Sequence, residues 1–199
     1  GAILLLGCTA CGLLLVSDFS KPNHLAPSDS FARQHVARSA LEDAYAAAQQ
    51  RVHQLQHHPE AWGYAGCTVE CIETHISWLL LVGGHVYKFK KPLALDFLDF
   101  STPALRLAAC QEELRINRRT APHMYLDVVG VEGDGSDSRP WRVKPWAAGD
   151  AAGAEPAVLM RRFDQQALLS RRLEAGCVAD EDMDALAEQV ARLHTQAAV

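Results

Sequence analysis

The spacing of apolar residues divides the chain into a first helix, a group of strands, a second helix, more strands and two closing helices. Between residues 28 and 62, apolar residues recur at intervals of three and four, the period of a helix that packs by one face. These residues are Leu41, Tyr45, Ala48, Val52 and Leu55. Ser28 or Asp29 can cap the start of this helix, and His57-His58-Pro59 ends it.

The strands follow this helix. Alternating apolar and polar residues predict a strand over 68–72, and a turn at 73–77 leads into a hairpin. The hairpin has strands at 78–82 and 86–90, joined at Gly83-Gly84. Further strands are predicted at 125–131, 141–145 and 157–163, the last of them after a flexible loop at 147–154.

A second helix separates the two groups of strands. Ser101 or Thr102 can cap its start, and it runs to about Arg119, before Ala121-Pro122. Its shared face is predicted to hold Leu105, Ala109, Ile116 and either Glu112 or Glu113. Two closing helices are predicted at 165–175, with Gly176 as the C-cap, and at 180–195. This order of elements is typical of an α+β fold with segregated layers.

Composition narrows the class of protein. The chain has 199 residues, of which 49% are hydrophobic and 22% charged, so it can bury one substantial core. A formal net charge of −5 gives no basic surface for a nucleic acid, and no such partner is expected. The six cysteines have no regular spacing, which favours reduced thiols and a cytoplasmic protein. A zinc site at Cys67, Cys71 and His75 is the less favoured alternative.

The chain begins with an apolar segment that we do not assign to the fold. Residues 1–16 are almost wholly apolar but fall short of the roughly 20 residues of a membrane-spanning helix, so no membrane partner is expected. Our hypothesis is that residues 1–15 are translated upstream sequence and that Val16 is the natural start. Residues 1–27 are therefore set apart from the fold as an apolar start and a linker.

The strand at 86–90 carries the candidate chemistry. Alternation places Val86, Lys88 and Lys90 on one face, where either lysine can reach a phosphate. Lys88 is preferred because it follows a small apolar residue by two positions, as the phosphate-binding lysine of protein kinases does. In those enzymes a helix glutamate pairs with the lysine, and Glu113 and Glu112 are the candidates here. The alternative is that the lysines line a solvated sheet edge.

Five motifs in order resemble the aminoglycoside-phosphotransferase-like family, and the resemblance covers residues 58–194. It is closest to the bacterial branch in which such a kinase-like domain is often fused to a P-loop ATP-binding kinase domain. The motifs are Glu73-Thr74-His75-Ile76-Ser77-Trp78, Val86-Tyr87-Lys88-Phe89-Lys90-Lys91-Pro92, Phe97-Leu98-Asp99-Phe100-Ser101-Thr102, Glu112-Glu113-Leu114-Arg115-Ile116-Asn117-Arg118-Arg119 and Ala121-Pro122.

The resemblance implies a protein-kinase-like fold that binds ATP and Mg²⁺ and phosphorylates a small-molecule hydroxyl. Residues 63–163 would then form the N-lobe, an antiparallel sheet plus one helix, preceded by a helical segment at 28–62. Residues 164–199 would begin a truncated C-lobe. The nucleotide would meet Lys88, Lys90, Glu113, Glu112, Thr74, Ser77 and Met160, with Met160 in the hinge beside the adenine.

The sequence departs from the family pattern in its catalytic residues. It contains no His-Gly-Asp-x-x-x-x-Asn loop and no later metal-binding aspartate, so we expect no catalytic residue and no metal ligand in this chain. Asp164, Asp180, Asp182 and Asp184 lie in helix-start contexts typical of caps. The favoured interpretation is the ATP-binding part of a phosphotransferase. The alternative is a non-catalytic nucleotide-binding or protein-interaction module.

Overall fold

The computed structural model describes residues 27–63, 66–146 and 154–196. Its helices are α1 (Pro27–His57), α2 (Pro103–Asn117), α3 (Leu169–Glu174) and α4 (Asp180–Gln196). Its strands are β1 (Val69–Glu73), β2 (Ser77–Val82), β3 (His85–Lys90), β4 (Ala94–Leu95), β5 (Leu98–Asp99), β6 (Tyr125–Glu132), β7 (Arg142–Pro145) and β8 (Glu155–Arg161). The hypotheses on the apolar start and most of the linker, and on residues 147–153, fall outside the described residues.

Six of the strands form one antiparallel sheet in the order β1-β2-β3-β8-β6-β7, and β4 and β5 form a separate small hairpin. The predicted α+β class with a mainly antiparallel sheet is therefore confirmed. The strand of the candidate lysines, β3, lies between β2 and β8. The alternative of a solvated lysine edge is consequently wrong, because β3 is an interior strand whose lysines are buried.

Helix α1 covers one face of the sheet. Ala48, Val52 and Leu55 of the predicted stripe are buried in a cluster with alternate residues of β2 and β3. Tyr45 places its ring 5.4 Å from that of Trp78, and a 3₁₀ turn after the helix brings Trp62 4.3 Å from Tyr87. Helical periodicity therefore identified the packed face of α1.

Helix α2 covers the opposite face, but not by the surface that its sequence predicts. Thr102 caps its start, with Oγ1 accepting from the Leu105 N–H at 3.3 Å. Leu105 and Ile116 are exposed, whereas Arg106 and Cys110 are the buried positions. The predicted face is wrong because Arg106, a charged residue, is buried against a strand carboxylate.

Other differences concern short elements. The single helix predicted over 165–175 is a 3₁₀ turn (Gln165–Ala167) followed by α3, since Leu168 has an extended backbone with ψ 135°. The last strand is β8, which begins and ends two residues before the predicted 157–163. The hairpin of β4 and β5 was not predicted. Helix α4 matches its predicted range closely, but none of its residues is buried.

A buried ionic cluster joins both helices to the start of β8. Arg106 of α2 donates to both oxygens of Glu155, from Nε to Oε1 at 2.5 Å and from Nη2 to Oε2 at 2.8 Å. Arg51 of α1 donates to Glu155 Oε2 at 3.1 Å from the other side of the sheet. Arg106 Nη1 also donates to the carbonyl oxygen of Phe100 at 2.9 Å. One carboxylate thus links the sheet to a helix on each of its faces.

We expect Arg106→Met to lower the free energy of unfolding by about 3 kcal/mol, because removing one partner of a buried ion pair leaves the other poorly compensated. Arg115→Met is the matched control: it lies on the same helix and pairs with Glu112, but its side chain is 64% exposed, against 5% for Arg106. The control should change the free energy by about 0.5 kcal/mol or less. Urea denaturation measures both, and equal losses would contradict the account.

Candidate functional site

The candidate lysines of β3 lie on the sheet face against which α2 packs, on the strand next to β8. We call the side of the sheet that carries Lys88 and Lys90 the lysine face. In the register of β2 with β3, Ser77 is opposite Lys90 and Leu79 is opposite Lys88. In the register of β3 with β8, Val158 is opposite Lys88. Residues directly opposite each other on neighbouring strands share a face. Both lysines therefore project from the same face, as strand alternation predicts.

Both lysines reach one carboxylate of α2. Lys88 Nζ donates to Glu113 Oε1 at 2.8 Å, and Lys90 Nζ contacts the other oxygen, Oε2. The side chains of Lys88, Lys90 and Glu113 are only 11%, 6% and 12% exposed. These three groups together carry a formal charge of +1 in a largely buried position.

Glu113 is held in its ionised form. Burial is the largest influence on its pKa and raises it, but the charges of Lys90 and Lys88 and their hydrogen bonds together outweigh burial. The pKa of Glu113 therefore lies below its ordinary value of 4.5. The carboxylate is available as a fixed negative partner for the lysines throughout the neutral range.

The rotation of α2 explains why Glu113 is the residue that reaches the lysines. Positions 106, 110, 113 and 117 recur at intervals of four, three and four, so they share the helix face that meets the sheet. Cys110 is fully buried on this face, and burial raises the pKa of its thiol to about 12. Asn117 Nδ2 donates to the Glu113 carbonyl oxygen at 2.8 Å. Because its pKa is raised so far, the Cys110 thiol is neutral near pH 7 and acts only in packing.

Glu112, the other candidate, lies away from the lysines. It accepts two hydrogen bonds from Arg115, at 2.7 Å from Nε and 2.5 Å from Nη2, on the exposed side of α2. The hydrogen bond to Arg115 is the main cause of the lowered pKa of Glu112. The structure thus brings Glu113, and not Glu112, to Lys88 and Lys90.

The turn that was considered for phosphate contact is a hydrogen-bonded corner. Thr74 Oγ1 donates to the Ser77 carbonyl oxygen at 3.0 Å and accepts from the Ser77 N–H at 3.0 Å. The Thr74 hydroxyl is therefore already used. Ser77 is fully buried, and among the described residues its hydroxyl has no hydrogen-bond partner. The structure places Ser77 beside Lys90, while Thr74 closes the corner.

An apolar strip continues the lysine face away from Lys90. Val86 is opposite Leu81 of β2 on one side and Met160 of β8 on the other, and all three are buried. On β1 the residue opposite Leu81 is Glu70, so the strip ends there in a polar residue, whereas Ile72, opposite Leu79 in the row of Lys88, is 43% exposed. Met160, predicted to lie beside a nucleotide base, is thus two positions along the face from Lys88.

Lys91, the third lysine of the segment, makes its contacts on the opposite face of the sheet, the one that α1 covers. Its Nζ lies 2.5 Å from Glu73 Oε1 and 5.1 Å from the centroid of the Trp78 ring. Trp78 belongs to the cluster under α1. Lys91 therefore ties the end of β1 to the α1 side and contributes nothing to the lysine face.

Sequence reasoning missed Arg106, Glu155 and Arg51, which fix α2 and α1 on the sheet. The available signal was the interval of seven between Arg106 and Glu113, which places both on one face of α2. A buried arginine is uncommon, so an apolar pattern search assigns it to the solvent side. The partner on β8 has no sequence signal, because the two residues are 49 positions apart.

Neither a metal centre nor a membrane span is found in the described parts of the chain. Across residues 27–63, 66–146 and 154–196, no group of three or more His, Cys, Asp or Glu side chains is arranged to hold a metal ion. The zinc alternative at Cys67, Cys71 and His75 thus gains no support. No helix in those same ranges is long and apolar enough to cross a bilayer.

The chain is similar to three long mycobacterial proteins. Two proteins of Mycobacterium tuberculosis and one of Mycobacterium bovis, each named only as uncharacterized, are 33% identical to it over 131 residues. The similarity covers 65% of this chain and 23% of each relative. No family model matches the chain. No solved structure matches it with significant similarity.

We expect Glu113→Gln to lower the free energy of unfolding by about 2 kcal/mol at about pH 7, because two buried ammonium groups lose their carboxylate. Since the folded pKa of Glu113 is below 4.5, its contribution is complete above that pH and is lost as the pH falls through the folded value. The difference from the unmodified protein should therefore shrink below about pH 4.5.

Urea denaturation at several pH values measures this difference. Glu112→Gln is the control, because that side chain is outside the buried cluster and its replacement should have little effect at any pH. A Glu113→Gln difference that stays the same at about pH 7 and about pH 3.5 would show that the charge of Glu113 does not stabilise the fold.

Proposed function

We propose that this chain is the ATP-binding part of a small-molecule phosphotransferase of the aminoglycoside-phosphotransferase-like kind. The observation that carries the proposal is the pair of buried lysines from one strand that share Glu113 of the covering helix. Kinases hold the phosphates of ATP with a strand lysine that pairs with a helix glutamate. Lys88 and Glu113 have this relation at 2.8 Å.

The charge of the cluster supports phosphate as the ligand. Two ammonium groups and one carboxylate leave a formal charge of +1, and the low-dielectric surroundings strengthen its attraction for an anion. Lys88 is the lysine that we assign to the α- and β-phosphates. Its neighbour across β2, Leu79, is only partly buried, whereas Lys90 lies against the fully buried Ser77.

The apolar strip supports a nucleotide over a simple phosphate. Val86 is two residues before Lys88 on β3 and points to the same face. Leu81 and Met160 are its neighbours on the two adjoining strands. In this proposal a planar base packs against these apolar residues while its phosphates extend towards Lys88. In this proposal Met160 and the following residues form the hinge beside adenine.

The transfer step is assigned to the whole enzyme and not to this chain. Phosphoryl transfer needs Mg²⁺, carboxylates to hold it and a base for the acceptor. Among the described residues, no group of three or more His, Cys, Asp or Glu side chains is arranged to hold a metal ion. We therefore propose that this chain binds the nucleotide, with Mg²⁺ ligands and the binding site for a small-molecule hydroxyl acceptor supplied elsewhere in the complete protein. ATP as substrate accords with the expected cytoplasmic location.

A second candidate function is a non-catalytic nucleotide-binding or protein-interaction module. It is favoured by the exposed apolar residues Met183 and Val190 of α4, a helix of which no residue is buried. ATP-dependent phosphorylation of an added alcohol by the complete protein would exclude this module. ATP binding without any turnover would favour it.

We expect Lys88→Met to weaken MgATP binding about 10-fold to 100-fold, the loss that follows removal of a charged hydrogen-bond donor to a phosphate. Turnover by the complete protein should be abolished. The melting temperature should change little, because Glu113 keeps Lys90 as its partner. Calorimetric titration with MgATP and thermal unfolding measure the two effects; unchanged MgATP affinity would dismiss Lys88 as a phosphate ligand.

A further inference from the structure

Two lysines share one carboxylate, although a kinase-like site needs only one lysine on the phosphates. The two are not equivalent in their surroundings. Lys90 Nζ lies 5.3 Å from the centroid of the Phe100 ring, a cation–π contact, and Phe100 is itself buried. The cross-strand neighbour of Lys90 on β2 is the fully buried Ser77. Lys90 is thus enclosed by Ser77, Phe100 and Glu113.

Burial decreases along the row that runs from Lys88 across β2 to β1. The neighbour of Lys88 across β2 is Leu79, which is partly buried, and the next residue along the same row is Ile72, which is 43% exposed. In the proposed site the ligand would approach the lysine face along this row, away from Phe100 and from the corner at Thr74. Lys88 is also the lysine adjacent to the apolar strip of Val86 and Met160.

The two lysines use different oxygens of Glu113. Lys88 contacts Oε1 and Lys90 contacts Oε2. If the Lys88 ammonium group turns towards a phosphate, the contact of Lys90 with Oε2 is left intact. The carboxylate then keeps a charged partner in its buried position, and α2 keeps its attachment to β3.

From these contacts we infer that the two lysines have separate tasks: Lys88 binds the phosphate, and Lys90 is a positioning residue that keeps Glu113 ionised and in place while Lys88 is engaged. The inference rests on the proposed function and assigns a role within that same site. Without Lys90, Glu113 and the phosphate would compete for the single ammonium group of Lys88. Ligand binding would then leave the buried Glu113 carboxylate without a full charged partner. Protonation of Glu113 would remove the free-energy cost of that unpaired charge.

Proton uptake separates this role from a purely structural one. Among the described groups, those acting on the Glu113 carboxyl are Lys90 and Lys88 from β3, and the neighbouring Cys110 of α2 is a neutral thiol at neutral pH. In the unmodified protein Lys90 stays on Glu113, so this carboxylate should take up no proton when MgATP binds. In Lys90→Met it should take up a proton on binding.

The experiment is calorimetric titration of MgATP into the full chain in buffers of different ionisation enthalpy. Lys90→Met should bind at least about fivefold more weakly than the unmodified protein, take up more protons on binding, and gain affinity as the pH is lowered from about 8 to about 6. Lys91→Met is the matched control. Lys91 is an equally buried lysine next in sequence, but it pairs with Glu73 on the other face, so affinity and proton uptake should match the unmodified protein.

Three results would overturn the inference. Lys90→Met with unchanged affinity and proton uptake would mean that Lys90 does not position Glu113. A loss as large as that of Lys88→Met without extra proton uptake would make Lys90 itself a phosphate ligand. Absence of MgATP binding by the unmodified protein would instead reject the proposed function on which the inference rests. If Lys90→Met does not fold, Lys90→Gln, which removes the charge but keeps a donor, is tested in the same way.

Discussion

The attachment of α2 to the sheet depends on two buried carboxylates, whose contacts with the helix are at Arg106 and Glu113, seven residues or about two turns apart. Glu155 of β8 receives Arg106 of α2, and Glu113 of α2 receives Lys88 and Lys90 of β3. Apolar contacts alone would let a helix slide or rotate on a sheet at modest cost, because they are not directional. Charged hydrogen bonds in a buried setting have one good geometry, and leaving them is costly. They therefore fix both the position and the rotation of α2, and with it the location of the Glu113 carboxylate.

The same constraint extends to α1. Arg51 donates to Glu155 Oε2, the oxygen that Arg106 Nη2 also contacts, so helices on opposite faces share one strand residue. Below this contact, Ala48, Val52 and Leu55 bury the apolar stripe of α1 against the sheet. The helix that precedes the sheet is thus an integral part of the fold. Its removal would expose the core face and leave Glu155 with a single arginine.

Local patterns predicted the six strands of the main sheet and the lysine face because each depends on neighbours in sequence. Alternation along β3 is enough to place Lys88 and Lys90 together. The choice between Glu112 and Glu113 could not be made in this way, since adjacent residues on a helix point about 100° apart and the rotation of α2 is set by Arg106. Apolar periodicity reads Arg106 as a surface residue and so rotates the predicted face towards Leu105 and Ile116. Similarly, the helix predicted over 165–175 is interrupted at Leu168, which has an extended backbone. No glycine or proline at this position signals the interruption in the sequence.

The central claim is that the lysine face receives nucleotide phosphates, and a crystal structure with Mg²⁺ and a non-hydrolysable ATP analogue tests it most directly. The account predicts a phosphate oxygen about 3 Å from Lys88 Nζ, the base against Val86 and Met160, and Lys90 still on Glu113. A nucleotide bound elsewhere on the chain, with Lys88 and Lys90 both unchanged on Glu113, would contradict it.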